Sequence, residues 1–496
     1  MRLPRVSTAA GRRLAGLAAR DRDILLSGLC LAAWAALAGH MLAKLPVSAV
    51  MTDTDIDTYA YIALAAYRPP LYGWVVNAYR EVTGSFDFLP TVQYLIFAGG
   101  LLVFALELGR LLDSILAAVI VLPLAHLHPG IHDAPGWMMT ESVYLGFLLL
   151  GLGLQFRHAR SGDRASLLVA AACFALMTIT RSTGAAFLAL PLLTALLDPR
   201  CRLAAAAGQA GRAMLVIALV LGLAMAWNLT RHGRFEIGSL AGVSLLSKAL
   251  LLLEPADAAD MPPPVAATIP AAVEARQLIG AQPDLAARIR AQFQAGSADL
   301  RWATFVPAAE AGWPAWAAAD WRERDQLVRP LAFALILRHP SGFLRLWAND
   351  WLGLVLQPAY WPAWATGEAA DKRAFRACLL QANCWGLDRY DLPVHGLVAM
   401  LLASILGTLA ALLVLLGAAW RVLRRRAAAD TVVFWAVALV LHASLLVTAF
   451  FEAGHVRFTV AFHILDLALL SWLATGFARR LAPRPVTDGK RPWARS

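Results

Sequence analysis

Apolar runs long enough to cross a bilayer recur along this chain, and no other feature limits its fold so strongly. They lie near 24–44, 91–109, 114–128, 142–156, 165–180, 183–198, 213–229, 394–419, 431–450 and 457–477. A helix needs about 20 apolar residues to cross some 30 Å of hydrocarbon. Of the 496 residues, 59% are hydrophobic and only 16% charged, and the mean hydropathy is +0.60. Soluble domains sit near 45–50% apolar and about 25% charged. The excess excludes a soluble enzyme, a fibrous protein and a disordered chain. The expectation is an all-α polytopic membrane protein of about ten transmembrane helices. Amphipathic interfacial helices and a small extracytoplasmic domain complete it.

The net charge is +11. Its arginines fall between or beyond the apolar runs, which fits orientation in a membrane better than contact with nucleic acid. Arg2, Arg5, Arg12, Arg13, Arg20 and Arg22 precede the first run and put the N-terminus in the cytoplasm. Alternating crossings then place Arg110, the group Arg157 to Arg164, the group Arg200 to Arg212, the group Arg421 to Arg426, and Arg479 with Arg480 on the same side. Both termini are expected in the cytoplasm, in a bacterial inner membrane. No cleavable signal stands out, because the run Ile24 to Leu42 is long enough to span.

That parity divides the chain into 1–229, N-terminal membrane helices with an external loop at 45–90; 230–393, an external loop unit; 394–480, C-terminal membrane helices; and 481–496, a cytoplasmic tail. A second external stretch falls at 129–141. Within 230–393, Pro262, Pro263 and Pro264 break any helix. The apolar, Trp-rich segments 326–338 and 342–357 flank His339-Pro340, and Arg338, Arg345, Asn349 and Asp350 interrupt them. They are read as amphipathic helices at the interface rather than a hairpin crossing twice. Five cysteines do not make a disulfide framework. Cys378 and Cys384, six apart in a polar loop, are candidates for a bridge if that loop is extracytoplasmic.

Chemistry-bearing residues gather in the first external loop. Asp53, Asp55 and Asp57 alternate, so an extended strand aims all three one way. Helix-forming composition from Thr58 to Tyr67 is stopped by Arg68-Pro69-Pro70. A second amphipathic helix is expected over Leu71 to Val82, with Pro70 in its first turn and Gly84 near its end. Asp57 alone reads as a helix cap. Three carboxylates followed by Arg68 supply a base and a cation within one short loop.

The run Asp55-Ile-Asp57-Thr-Tyr59-Ala and then Arg68-Pro-Pro-Leu-Tyr72-Gly-Trp74 resembles the first extracytoplasmic loop of the glycosyltransferase C superfamily. The closer likeness is to its bacterial branch akin to protein mannosyltransferases and the lipid A aminoarabinose transferase. Thr140-Glu141-Ser142, Thr180-Arg181-Ser-Thr-Gly184 and Glu452-Ala-Gly-His455-Val-Arg457-Phe458 are similar to further stretches of that family. Two departures stand out. Arg68 occupies a position often held by Lys, and Phe458 one often held by Tyr.

The resemblance implies transfer of a monosaccharide from a polyprenyl-phosphate sugar donor to a hydroxyl of a glycan, lipid or protein acceptor on the periplasmic side, with inversion. By match to the family spacing, Asp55 is the base and Asp57 the second choice. Asp53, Tyr59, Arg68, Tyr72, Glu141, Arg181, His455 and Arg457 are substrate-binding candidates, with Arg68 on the lipid phosphate. A divalent cation is the cofactor left open, with Asp53, Asp55, His128 and His132 as candidate ligands and Asp133 beside them. Membrane lipid is an expected partner and nucleic acid is not. Arg231 and Arg234 are weaker candidates, and Asp466 is a buried polar contact or a misjudged boundary. Two rival readings share parts of this layout: a polymerase or ligase acting on diphosphate-linked glycans, and a lipid or solute flippase.

Overall fold

The computed structural model describes residues 7–49, 58–126, 134–238, 240–283, 285–356, 394–451 and 460–481. The main helices are α1 (Ser7–Leu42), α2 (Thr58–Ile62), α3 (Pro70–Thr83), α4 (Leu89–Leu112), α5 (Ile115–His126), α6 (Glu141–Ser161), α7 (Arg164–Thr180), α8 (Ala189–Leu196), α9 (Leu203–His232) and α10 (Ala241–Leu250). They continue with α11 (Ile269–Gly280), α12 (Leu285–Phe293), α13 (Trp321–Arg338), α14 (Pro340–Leu356), α15 (Val394–Leu423), α16 (Ala429–Phe451) and α17 (Val460–Leu481). Among the described residues there is no strand, only an isolated bridge between Ser48 and Asp87.

Five of the described helices are long and apolar enough to cross a membrane: Asp21–Leu42, Leu89–Leu112, Leu203–His232, Leu402–Leu423 and Ala429–Phe451. This makes the chain a multi-pass membrane protein and corrects the expectation of about ten spans. The reason is that an apolar run does not reveal how far one helix carries it. Within the run at 114–128 the described helix α5 has 12 residues, with Pro123 inside it. The run at 165–180 lies in the 17-residue α7. The run at 183–198 breaks into a 3-10 turn over Ser182–Leu188 and the eight-residue α8, which contains Pro191. The run at 142–156 sits in α6, whose ends carry Glu141, Arg157, His158 and Arg160. In α17 Asp466 and His463, both buried, interrupt the apolar run, and Arg479 and Arg480 lie at its end.

Two large apolar cores, with smaller clusters beside them, hold the described residues together. The larger joins α1, α4, α5, α6, α7, α15, α16 and α17 through residues such as Phe104, Phe156, Phe174, Leu441 and Leu465. The smaller is helical throughout and centres on Leu246, Leu253, Phe305, Trp316 and Leu335. The segments read as interfacial helices belong to it. α13 buries Val328, Ala332 and Leu335 against α10, and α14 buries Phe343 in this core and Leu354 in the larger one. Their interruptions are used internally. Asp350 of α14 meets Lys248 of α10 at 2.7 Å, with both side chains almost wholly buried.

Arg22, Arg110, Arg160, Arg200 and Arg425 gather at one end of the larger core. Arg22 pairs with Asp113, Arg110 with Asp23 and Glu107, and Arg160 with Glu107. Arg200 pairs with Asp198, and Arg425 donates to the carbonyls of Asp198 and Cys201. Glu141 begins the 21-residue α6 and Arg160 lies near its end. At 1.5 Å per residue that puts about 30 Å between the arginine-rich end and the end where Glu141 sits.

Candidate functional site

The end opposite the arginines is built from α2, α3, the start of α4 and the two helix ends at Glu141 and Arg181. α3 begins with Pro70 at its first position, where a missing N–H costs nothing. It stops at Gly84, whose φ of 77° suits glycine and whose N–H donates to the Arg80 carbonyl. α2 is shorter than expected. The chain turns out of it at Leu64, with φ 54°, so the helix ends at Ile62 rather than running to Tyr67.

The resulting hook is pressed onto α3. Asn77 donates from one amide nitrogen to the carbonyls of Ile62 at 3.1 Å and Gly73 at 2.9 Å, tying the end of α2 to α3. A Cβ on Gly73 would lie 2.8 Å from the Tyr61 carbonyl oxygen, so only glycine permits this approach. The hook is also held from α9, where the His232 ring nitrogen bonds the Leu64 carbonyl at 3.0 Å.

Arg68 closes the hook. Its half-buried guanidinium lies 5.4 Å from the centre of the Tyr61 ring and 5.5 Å from that of Tyr67. Cation–π contacts of this kind hold a planar guanidinium in place. Tyr61 meets Tyr72 edge-on at 5.0 Å. The wholly buried Tyr72 donates its phenol to Gln93 Oε1 at 2.7 Å, and the Gln93 amide donates to the Pro135 and Trp137 carbonyls. Arg68, Tyr61, Tyr72 and Gln93 thus form one chain from the hook to the segment that leads into α6.

Beside it stands an ion pair. Arg181, just past the end of α7, reaches Glu141 at the start of α6 with a 2.7 Å contact. Both side chains keep about a sixth of their surface, at 17% and 15%. A carboxylate in the first turn of a helix is favoured by the helix dipole. Burial, then the neighbouring Tyr61 and the charge of Glu141, push the Tyr72 phenol well above its usual range. Tyr72 is therefore a neutral donor rather than a base.

Of the residues expected at the site, Tyr59, Arg68, Tyr72, Glu141 and Arg181 fall within the described residues. Arg68, Tyr72, Glu141 and Arg181 share one end of the bundle, while Tyr59 on α2 is half exposed. Asp53, Asp55, Asp57, His128, His132, Asp133, Glu452, His455 and Arg457 lie outside the described residues, as do Cys378 and Cys384. Among the described residues no group of three His, Cys, Asp or Glu side chains is gathered to hold a metal ion. Arg231 stacks on Trp227 at 5.8 Å and Arg234 pairs with Glu323 at 3.0 Å. Tyr61, Tyr67 and Gln93 were not anticipated. The recurrence of tyrosine at 59, 61, 67 and 72 was the available signal for an aromatic seat beneath Arg68. Comparisons with protein families, curated proteins and solved structures find no match to this chain.

Proposed function

We propose that this chain is a membrane glycosyltransferase that moves a monosaccharide from a polyprenyl-phosphate carrier to an acceptor hydroxyl. The arginine-rich end faces the cytoplasm, following the bias of basic residues toward that side. The end bearing Arg68, Glu141 and Arg181 faces the periplasm. One observation carries the reading. A guanidinium is seated on two tyrosines at the same end of the bundle as a charged pair, and in sequence the acidic run Asp53, Asp55 and Asp57 immediately precedes the helix that supplies one of those tyrosines.

Nucleotide sugars are not expected outside the cytoplasm, so transfer there calls for a lipid-linked donor. The carrier's tail lies among apolar helices while its phosphate meets Arg68, in the forked geometry guanidinium offers to phosphate. The acceptor oxygen attacks the anomeric carbon as its proton passes to Asp55. The bond from that carbon to the phosphate oxygen breaks, and the lipid phosphate leaves with the electron pair. Attack opposite the leaving group inverts the centre. General-base help of this kind contributes about 10²–10⁴-fold, and a fixed cation at the leaving oxygen adds stabilisation as charge develops there.

The test is incubation of the purified full-length protein with a panel of polyprenyl-phosphate monosaccharides, following release of the free carrier phosphate. Release with one donor, abolished by Asp55→Asn in a protein of unchanged yield and thermal stability, supports the reading. Near-normal turnover in Asp55→Asn removes that residue from the reaction.

A further inference from the structure

The larger core contains a carboxylic acid with no part in the site above. Asp466 lies on α17 where it packs against α15 and α16, and its side chain is completely buried. The packing is close because α15 places Gly407 beneath it. A Cβ at Gly407 would lie 2.4 Å from the Asp466 Cβ and 2.9 Å from its Cα. Both partner helices include segments long and apolar enough to cross a membrane. An ionisable group in such surroundings is costly and marks function more often than it marks packing.

Burial and an unpartnered carboxyl oxygen favour a proton on Asp466. Thr408 Oγ1 lies 3.0 Å from the Ser404 carbonyl oxygen and 3.0 Å from Asp466 Oδ2. A threonine hydroxyl has one hydrogen, and a carbonyl only accepts. If Thr408 donates to Ser404, both contacts are hydrogen bonds only when Asp466 donates the second. The other carboxyl oxygen, Oδ1, is buried with no hydrogen-bond partner. No cation balances Asp466 among the described residues, where Thr408 is its one polar contact. A bare carboxylate oxygen there would forfeit hydration with nothing in return, whereas a neutral acid leaves only a weak acceptor unfilled.

A complementary group meets the same residue from α16. The buried His442 of α16 faces the Thr408 backbone, and its Nε2 is buried with no hydrogen-bond partner. A neutral imidazole carries one nitrogen lone pair. A carboxylic acid and an imidazole with an unpartnered ring nitrogen thus both lie against Thr408. His463, three residues before Asp466 on α17, is the other buried titratable group of that helix. Two carboxyl oxygens, one hydroxyl and one carbonyl fall short of the six or more oxygens that a hard divalent cation such as calcium takes.

We propose that Asp466, Thr408 and His442 form a proton-binding site within the C-terminal helices, with Asp466 carrying the proton at neutral pH. This assignment is independent of the transfer reaction. The test uses the full-length protein in lipid nanodiscs at neutral pH with N,N′-dicyclohexylcarbodiimide. The acid O–H adds across one C=N bond of the reagent, the proton going to nitrogen and the oxygen to carbon. An oxygen-to-nitrogen acyl shift then gives a stable N-acylurea, and nothing is released. The expected result is a single adduct mapped to Asp466, lost in Asp466→Asn and unchanged when sodium replaces potassium. Infrared spectra read the same proton without a reagent. The carboxylic acid C=O stretch should disappear in Asp466→Asn and shift in Thr408→Val. The amide of Asp466→Asn still donates to Thr408, so that variant keeps the packing. If Asp466→Asn removes carboxylate bands instead, or if sodium suppresses the adduct, the proton assignment is overturned.

Discussion

Glu141 and Arg181 meet at 2.7 Å although 40 residues separate them, and the contact fastens the start of α6 to the segment leaving α7. An exposed pair of this kind is worth little, with a median of about 0–1 kcal/mol. This one keeps only about a sixth of its surface. A double-mutant cycle of Glu141→Ala and Arg181→Ala, read by thermal or denaturant unfolding, is expected to give a coupling of about 0.5–3 kcal/mol. Additive single effects would show that the pair is incidental.

Lys248 and Asp350 form a second fastening. The Lys248 ammonium also donates to the Ala449 carbonyl near the end of α16, so one buried cation joins α10, α14 and α16. Removing one partner of a buried pair costs about 3–5 kcal/mol, while replacing both with apolar groups of similar volume is often neutral. Lys248→Met should therefore lower the apparent Tm sharply, and Lys248→Met with Asp350→Leu should recover most of the loss. A double variant no better than the single one would mean that the pair does more than balance its own burial.

Acid sensitivity is expected at Asp257. Burial on its own would raise this carboxyl. The Glu254 backbone N–H and the Arg338 and His339 side chains outweigh that effect and hold it below the usual carboxylate range. A depressed folded-state value means the contribution is present above the unfolded value of about 4 and is lost as pH falls further. Thermal stability should decline below about pH 4, and Asp257→Asn should flatten that part of the curve. An unchanged acid limb in Asp257→Asn would place the sensitivity elsewhere.

Arg68 is suited to its seat by shape as well as charge. Hydrogen bonds to charged groups contribute about 1.5–3 kcal/mol, so Arg68→Ala should raise the KM for a lipid-phosphate donor by roughly tenfold to a hundredfold. Arg68→Lys keeps the charge but loses the planar guanidinium that lies over the Tyr61 and Tyr67 rings and should fall between the two. A donor KM unchanged in Arg68→Ala would mean that another cation meets the phosphate.

What could be read from the sequence was what short range decides. Pro70 and Gly84 bracket α3 because each acts on its own backbone, and the structure starts and stops the helix there. Arg22, Arg110, Arg160, Arg200 and Arg425 fall at one end because their charges avoid apolar surroundings. The number of crossings was not legible. Whether an apolar run stays one helix depends on a proline such as Pro191 or on partners that cover its ends. The aromatic seat of Arg68 needed the left-handed turn at Leu64, which no local signal announces. Lys248 and Asp350, 102 residues apart, and Thr408 and Asp466, 58 apart, were likewise invisible until helices crossed.

The most direct measurement is carrier release from polyprenyl-phosphate monosaccharides by the purified full-length protein and by Asp55→Asn, each checked for folding by its Tm. Release by the parent chain and its loss in a folded Asp55→Asn protein is the expected result. Release that survives Asp55→Asn, or no release from any lipid-phosphate sugar by a folded parent chain, would contradict it.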